Sequence, residues 1–215
     1  MSRRGAAPSL VDLYIDDLYK KDYEEFSYIR KSAGSQEGIQ ISPYEGKIMF
    51  LLLVLQRAKV VVEIGAFVGY STAWIGSALP EDGKLISFEI NQNNFRKAQQ
   101  NIAKLAFANK IKFVNAAAEE KLHKFINIGE ADAFFIDAKK SDYITYLKLS
   151  TRYLKKGGLL IADNTIISRR ISDKDNIINK MPEGIKLFNA KLADSSEFMS
   201  TIIKTTSGLT IGVKS

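Results

Sequence analysis

The stretch Glu63-Ile64-Gly65-Ala66-Phe67-Val68-Gly69-Tyr70-Ser71 decides the fold of this chain. It continues the apolar, β-branched run Val60-Val61-Val62, which is typical of a buried parallel strand, and it leads into a helical pattern. Gly65 and Gly69 permit a tight turn and the close approach of a ligand to the backbone. This stretch therefore predicts the first strand, turn and helix of an α/β domain.

The rest of the chain alternates strand and helix patterns at short spacing, which predicts a parallel sheet covered by helices on both faces. The predicted strands are 60–64, 84–89, 111–115, 131–136 and 159–162, and the predicted helices between them are 70–79, 94–105, 118–126 and 143–154. A helix near 185–192 precedes two last strands, 198–204 and 209–213, which Ser207-Gly208 separates. The sheet should therefore end in an antiparallel hairpin.

Composition excludes several kinds of site. The 215 residues include no cysteine and one histidine, so disulfides, thiolate zinc sites, cysteine nucleophiles and multi-histidine metal sites are excluded. The longest apolar run, 48–55, is shorter than the roughly 18 residues of a membrane span, and the N-terminus does not read as a secretory signal. We expect no membrane segment and a cytoplasmic location. The net charge of +7 can attract an anionic substrate or RNA, or reflect a basic proteome.

A helix start divides the N-terminal segment from the remainder. Ser42 is suited to the N-cap, Pro43 to the first helical position, and Glu45 to the third, which is a capping box. The apolar density of 48–55 predicts that this helix is buried. Before it, residues 1–41 are polar with an amphipathic helical pattern over Leu10 to Tyr19.

Two acidic residues indicate the class of nucleoside cofactor. Glu89 ends the second strand twenty residues after Gly69, where an acid can accept hydrogen bonds from ribose hydroxyls. The glycine spacing is G-x-x-x-G, not the G-x-G-x-x-G of nicotinamide enzymes, and Glu63 would repel a pyrophosphate. The pattern favours S-adenosylmethionine, whose sulfonium and amino group are positive, over NAD. If the glycines only form the turn, the presence of Glu63 and Glu89 at these two positions has no explanation.

Oxygen-bearing side chains follow the fourth and fifth strands. Asp137, Asp163 and Asn164 should converge, because ligands bind beyond the carboxyl ends of parallel strands. Two carboxylates and an amide suit Mg²⁺, Mn²⁺ or Ca²⁺ better than zinc. The same residue types are also common in turns and helix caps. Lys140 can act as a general base beside such a cation, or it can be a solvated lysine next to Lys139.

Together these features resemble the cation-dependent O-methyltransferase family that includes catechol and caffeoyl-coenzyme A O-methyltransferases, especially its small bacterial members. The resemblance rests on Ser42-Pro43-Tyr44-Glu45-Gly46, the 63–71 stretch, Phe135-Ile136-Asp137-Ala138-Lys139-Lys140 with Tyr143, the 157–164 stretch, and Ser207-Gly208-Leu209-Thr210. It implies a Rossmann-like class I methyltransferase fold. The sheet would be seven-stranded and mostly parallel, with helices on both faces and a C-terminal antiparallel hairpin.

The resemblance also implies residue roles. Asp137, Asp163 and Asn164 match the family's metal ligands, and Lys140, with Asp137, its catalytic residues. The matched cofactor contacts are Ser42, Glu63, Gly65, Gly69, Ser71, Glu89, Ala118, Asp137 and Tyr143. Residues 1–41 would be a helical cap or dimerisation segment on a methyltransferase domain of residues 42–215, and the protein a homodimer.

These roles imply methyl transfer from S-adenosylmethionine to a hydroxyl of a catechol-like or hydroxycinnamoyl-type small molecule. The alternative acceptor is the hydroxylated wobble uridine of tRNA, because relatives of this family methylate it. The net charge and the Arg169-Arg170 pair would suit RNA phosphates. A non-catalytic binding protein is a third possibility, but the intact set of Asp137, Lys140, Asp163 and Asn164 disfavours it.

Overall fold

The computed structural model describes residues 10–19, 21, 24–166, 181–205 and 207–215, so Arg169 and Arg170 lie outside the described residues. The strands are β1 (Val60–Ile64), β2 (Lys84–Phe88), β3 (Ile111–Val114), β4 (Ala131–Ile136), β5 (Leu154–Asp163), β6 (Phe198–Ile203) and β7 (Leu209–Lys214). The α-helices are α1 (Leu10–Leu18), α2 (Ser27–Ser32), α3 (Pro43–Gln56), α4 (Tyr70–Ala78), α5 (Gln92–Ile102), α6 (Ala118–Lys121), α7 (Tyr143–Tyr153) and α8 (Glu183–Ala193).

The seven strands form one sheet in the order β3-β2-β1-β4-β5-β7-β6. The first five strands are parallel, and β7 runs antiparallel to both β5 and β6. The expected fold, a mostly parallel sheet that ends in an antiparallel hairpin, is therefore confirmed. The strand order reverses between β1 and β4, and such a switch point opens a crevice at the carboxyl ends of the strands.

The register aligns the ends of the central strands. Ile64 of β1 pairs with Ile136 of β4, and Ile136 in turn pairs with Ala162 of β5. The residues that follow these three therefore lie side by side along the carboxyl edge. This places the glycine turn, Asp137 and Asp163 next to one another.

The core lies on both faces of the sheet, because successive residues of a strand point to opposite sides. Phe135 packs on the face covered by α3 and α4, while Phe134 and Ile136 pack on the face covered by α7 and α8. All six residues of β4 are buried. This double coverage explains why the central strands are continuous apolar runs.

The structure corrects one prediction about α3. Its capping box forms as expected, with Ser42 as N-cap and Glu45 at the third position. The helix is not buried, however: Met49 and Leu53 face the core, but Leu51 is 49% exposed and Leu55 79% exposed. The apolar residues surround the helix, and the helix covers the sheet with one side only.

Residues 24–41 pack against the sheet domain. Phe26 and Ile29 are fully buried, and the ring of Phe26 meets Trp74 edge to face with centroids 5.3 Å apart. The helix α1 is different, because the side chains of Leu10, Leu13 and other apolar residues on it are exposed. Among the described residues, no helix combines the length and apolar character needed to cross a membrane.

Two elements differ clearly from their predicted bounds, and most of the others shift by one to three residues at an end. The strand β5 begins at Leu154, not residue 159, because Leu154 pairs with Ala131 before an irregularity in the ladder. The helix predicted over 118–126 ends at Lys121 and continues as a short 3₁₀ turn over Leu122–Lys124. Neither difference moves a candidate site residue.

Candidate active site

The turn after β1 is pressed against the turn after β4. Gly65 has a φ of 102°, and its N–H donates to the Phe88 carbonyl at 2.9 Å. A Cβ atom at Gly65 would lie 2.2 Å from the carbonyl oxygen of Asp137. Gly65 therefore makes room for the protein's own backbone, and the contact fixes the position of Asp137 relative to the glycine turn.

The second glycine of the motif serves helix packing. Gly69 has a φ of 93° and precedes α4, and a Cβ atom there would contact Ile102 at 3.3 Å and Ala98 at 3.4 Å on α5. Between the glycines, Phe67 also has a positive φ, of 49°. The turn is thus held in a conformation that most residues avoid.

Glu63 lies beneath this turn and is fully buried. Ser71 and Thr72 each donate a hydroxyl hydrogen to its carboxylate at 2.6 Å, and Ser87 donates at 2.5 Å. Burial raises the pKa of Glu63 from 4.5 to about 7, the three hydroxyl donors oppose this rise, and the Asp137 carboxylate adds to it. The site therefore contains an acid that a positive charge would help to ionise.

Glu89 directly follows β2 and holds the other side of the turn. Its Oε2 accepts from the backbone N–H of Phe67, and its Oε1 accepts from that of Asn91, both at 2.8 Å. Burial raises the pKa of Glu89, and these backbone donors oppose the rise. Each carboxylate oxygen can accept more than one hydrogen bond, so capacity for a ligand remains.

Three other predicted cofactor contacts lie at the starts of helices. Ser71 is in the first turn of α4, with its hydroxyl on Glu63. Ala118 is buried at the start of α6, close after β3. Ser42 is the N-cap of α3, and its side chain and backbone N–H both bond Glu45.

Lys140 joins the two strand ends on the other side of the crevice. Its Nζ lies 2.9 Å from Asp137 Oδ1 and 2.7 Å from the hydroxyl oxygen of Tyr143. The Tyr143 hydroxyl donates to the backbone carbonyl of Asp163 at 2.7 Å. Burial raises the pKa of Tyr143 well above its usual value, and the carboxylates of Asp137 and Asp163 add to this effect. The phenol therefore stays protonated and links Lys140 to β5.

Asp163 and Asn164 form the turn after β5. Asp163 is fully buried, and its Oδ1 accepts from the Ser207 hydroxyl at 2.9 Å, while its Oδ2 contacts the side-chain amide of Asn164. Asn164 has a φ of 60°, a conformation that asparagine tolerates better than most residues. The hairpin supports this turn, because Thr165 N–H donates to the Gly208 carbonyl at 3.1 Å.

This donor set fits a hard divalent cation. Asp137 and Asp163 follow adjacent strand ends, and Asn164, next to Asp163, carries an amide oxygen. Burying like charges close together is costly unless a positive charge compensates them. The described residues contain no cluster of three or more histidine, cysteine, aspartate or glutamate side chains suited to a metal. The candidate site instead combines two carboxylates with one amide, which are oxygen donors of the kind that Mg²⁺ and Ca²⁺ prefer.

Several residues of the site were not predicted from the sequence. Thr72 and Ser87 supply two of the three hydroxyls on Glu63. Ser207 bridges Glu45 and Asp163, with 2.9 Å to each. The sequence patterns place Glu45 in a capping box and Ser207 in a hairpin turn. Neither pattern indicates a partner far away in the chain.

The chain matches known proteins over nearly its whole length. A family model described as O-methyltransferase matches residues 16–215. The catechol O-methyltransferase of Niastella koreensis is 32% identical over 200 residues, which cover 90% of this chain and 89% of that protein. Caffeoyl-CoA O-methyltransferase 1 of Arabidopsis thaliana is 33% identical over 169 residues, which cover 72% of this chain and 65% of the plant protein.

Solved structures share the fold. The O-methyltransferase TomG of Streptomyces achromogenes, crystallised with SAM, is 26% identical, with a TM-score of 0.82 over 95% of each chain. An O-methyltransferase from Bacillus cereus, in complex with SAH, is 24% identical, with a TM-score of 0.80 over 96% of this chain and 98% of that one. The family model, the relatives and the fold agree. The chain therefore belongs to the O-methyltransferase family, which confirms the family resemblance and the enzyme class expected from its sequence.

Proposed function

We propose that this chain transfers the methyl group of S-adenosylmethionine to a hydroxyl of a catechol-like or hydroxycinnamoyl-type small molecule, with Mg²⁺ or a similar divalent cation in the site. The observation that carries the proposal is the meeting of Asp137, Lys140 and the Asp163-Asn164 turn at adjacent strand ends, beside the glycine turn. The relatives named catechol and caffeoyl-CoA O-methyltransferase support the acceptor class.

The β1–β2 side would bind the methyl donor. S-adenosylmethionine is a substrate whose methyl group is bonded to a positively charged sulfur. A hydroxyl oxygen can attack the methyl carbon and displace the sulfur. Glu89 would accept hydrogen bonds from the ribose, and Ala118 would lie near the adenine. Glu63, buried under the turn, would ionise more readily next to positive charge and so favour this ligand over a pyrophosphate.

The β4–β5 side would prepare the acceptor. Asp137, Asp163 and Asn164 would hold the cation, which when bound lowers the pKa of an acceptor hydroxyl by Lewis acidity. Lys140, in its neutral form, would take the hydroxyl proton on Nζ while the oxygen bonds to the methyl carbon and the carbon–sulfur bond breaks. Tyr143 and Asp137 hold this amine by direct contacts. The remaining acceleration would come from the orientation of the two substrates.

The test uses the purified full chain, S-adenosylmethionine, and either a catechol or bulk tRNA as acceptor. We expect methyl transfer to the catechol, its loss in EDTA, and its return with Mg²⁺. Full activity in EDTA would remove the cation from the proposal. Transfer to tRNA alone, with a steep decrease as salt is raised, would instead favour the RNA acceptor that the +7 net charge suits.

We further propose that the chain acts as a homodimer in which residues 1–41 contribute to the pairing. The apolar side chains exposed on α1 and on the outer side of α3 support this proposal, because exposed apolar surface is often covered by a partner. Light scattering after gel filtration should give twice the 24.0 kDa mass of the chain. A 24.0 kDa particle at working concentration would contradict it.

A further inference from the structure

A buried polar link joins three segments that are far apart in the sequence. The Ser207 hydroxyl oxygen lies 2.9 Å from Glu45 Oε1 and 2.9 Å from Asp163 Oδ1. Glu45 is 1% exposed and Asp163 is 0% exposed. The link therefore connects the N-terminus of α3, the C-terminal hairpin and the turn that carries two proposed cation ligands.

The middle of the link is a single hydroxyl group. It carries one hydrogen, so Ser207 donates to one carboxylate oxygen at a time, and both Glu45 Oε1 and Asp163 Oδ1 lie within hydrogen-bond distance of it. Loss of this hydroxyl, or of either carboxylate, therefore breaks the link.

Backbone hydrogen bonds hold both Glu45 and Ser207 in place. Glu45 Oε2 accepts from the backbone N–H of Ser42 at 2.7 Å and from its hydroxyl at 2.8 Å, which fixes the Glu45 side chain on the capping box. The Ser207 carbonyl accepts from the Ile166 N–H at 2.8 Å, which ties the hairpin to the turn after β5. Ser207 is therefore held at a defined place beside Asp163.

We propose that Glu45 and Ser207 are positioning residues for the divalent cation: they hold Asp163 Oδ1, so that Oδ2 is presented together with Asn164. This inference rests on the proposed function, because it concerns the same cation. Residues that orient a metal ligand in this way typically change metal affinity about 10- to 100-fold when they are removed. The link acts on Asp163, whereas Lys140 contacts the other carboxylate, Asp137.

The experiment titrates Mn²⁺ or Mg²⁺ into the cofactor-free full chain by calorimetry, for the wild type and for Ser207→Ala, Glu45→Ala and Glu45→Gln. The matched control is Ser200→Ala, which makes the same change in the same hairpin, where the hydroxyl donates to Leu192 at 3.1 Å. Thermal unfolding of each variant without metal measures the structural effect separately.

We expect Ser207→Ala and Glu45→Ala to weaken cation binding about tenfold or more, and Ser200→Ala to leave it within about twofold. Glu45→Gln should restore most of the affinity, because an amide can accept from Ser42 and donate to Ser207, and glutamine also serves a capping box. A purely structural role would lower the unfolding temperature of Ser207→Ala and leave its cation affinity unchanged.

The outcomes separate the two proposals. If the wild type binds neither cation, the cation in the proposed function is wrong and the positioning role fails with it. If the wild type binds and a folded Ser207→Ala binds equally well, the positioning role alone is overturned. Should Ser207→Ala not fold, Glu45→Ala, which removes the other end of the link, is measured in its stead, and unchanged cation affinity again overturns the role.

Discussion

The two halves of the carboxyl edge are built differently. On the β1–β2 side, Glu63 and Glu89 receive hydrogen bonds from residues at most 24 positions away in the chain. On the β4–β5 side, Asp163 depends on Tyr143 and Ser207, and Ser207 in turn bonds Glu45 162 positions away. On the β1–β2 side the hydrogen-bond partners are therefore close in sequence, and they are neutral hydroxyl and backbone donors. The β4–β5 side is assembled from distant segments and contains a lysine.

This difference suggests a division of labour between binding and chemistry. Hydroxyl and backbone donors around buried acids make a rigid receptor for a polar ligand with positive charge. An amine between Asp137 and Tyr143 can move a proton, and the carboxylates beside it can bind a cation. Substitutions on the β4–β5 side should therefore reduce turnover, and substitutions on the β1–β2 side should change cofactor affinity and the pH dependence of stability.

The largest effect is expected for Asp163→Ala. It removes a proposed cation ligand and leaves Ser207 and Asn164 without their common partner. Turnover with a catechol should fall by about 10⁴-fold or more, since a bound catalytic cation typically contributes several kcal/mol to transition-state stabilisation. The control is Asp142→Ala, an acid on the nearby turn that pairs with Lys139 at 3.6 Å. Equal turnover for Asp163→Ala and the wild type would show that the chemistry lies elsewhere.

Lys140→Ala is expected to have the next largest effect. Loss of a general base typically reduces the rate about 10²- to 10⁴-fold, so kcat should fall by about 10³-fold, while the affinity for S-adenosylhomocysteine changes little. The neighbouring Lys139, whose side chain is 71% exposed, provides the matched variant Lys139→Ala, which should keep kcat within about twofold. A similar loss in both variants would indicate a general effect of positive charge on this turn.

The same contrast explains what could be predicted from the sequence. The glycine turn, Glu63 and Glu89 lie within one short window, and the strand-end rule places Asp137 and Asp163 at one edge. The capping box accounts fully for Glu45 in the sequence, so no local pattern indicates its contact with Ser207. The apolar run of α3 likewise did not reveal which side faces solvent, since Leu55 and Leu53 differ only in their position around the helix.

A smaller effect, on stability, is expected on the β1–β2 side. In the folded protein the pKa of Glu63 is raised from 4.5 to about 7, so its protonated form is favoured by folding. Its contribution is complete below about pH 4.5 and is lost as the pH rises through about 7, which corresponds to about 3 kcal/mol. Urea unfolding without ligands should show this decline in the wild type. Glu63→Gln should flatten it, whereas Glu120→Gln, on the exposed side of α6, should not.

Tyr143→Phe tests the one hydroxyl that connects the lysine to β5. The variant keeps the ring, which packs edge to face on Phe188 at 5.4 Å, and removes the hydroxyl contacts to Lys140 and to the carbonyls of Asp163 and Ile136. A misplaced general base should lower kcat about tenfold, and the lost buried hydrogen bond should lower the free energy of unfolding by about 1 kcal/mol. Tyr153→Phe, at the end of the same helix, should leave kcat unchanged. If Tyr143→Phe lowers stability but not kcat, then Asp137 alone suffices to place the amine, and the chemistry of the β4–β5 side needs no link from the lysine to β5.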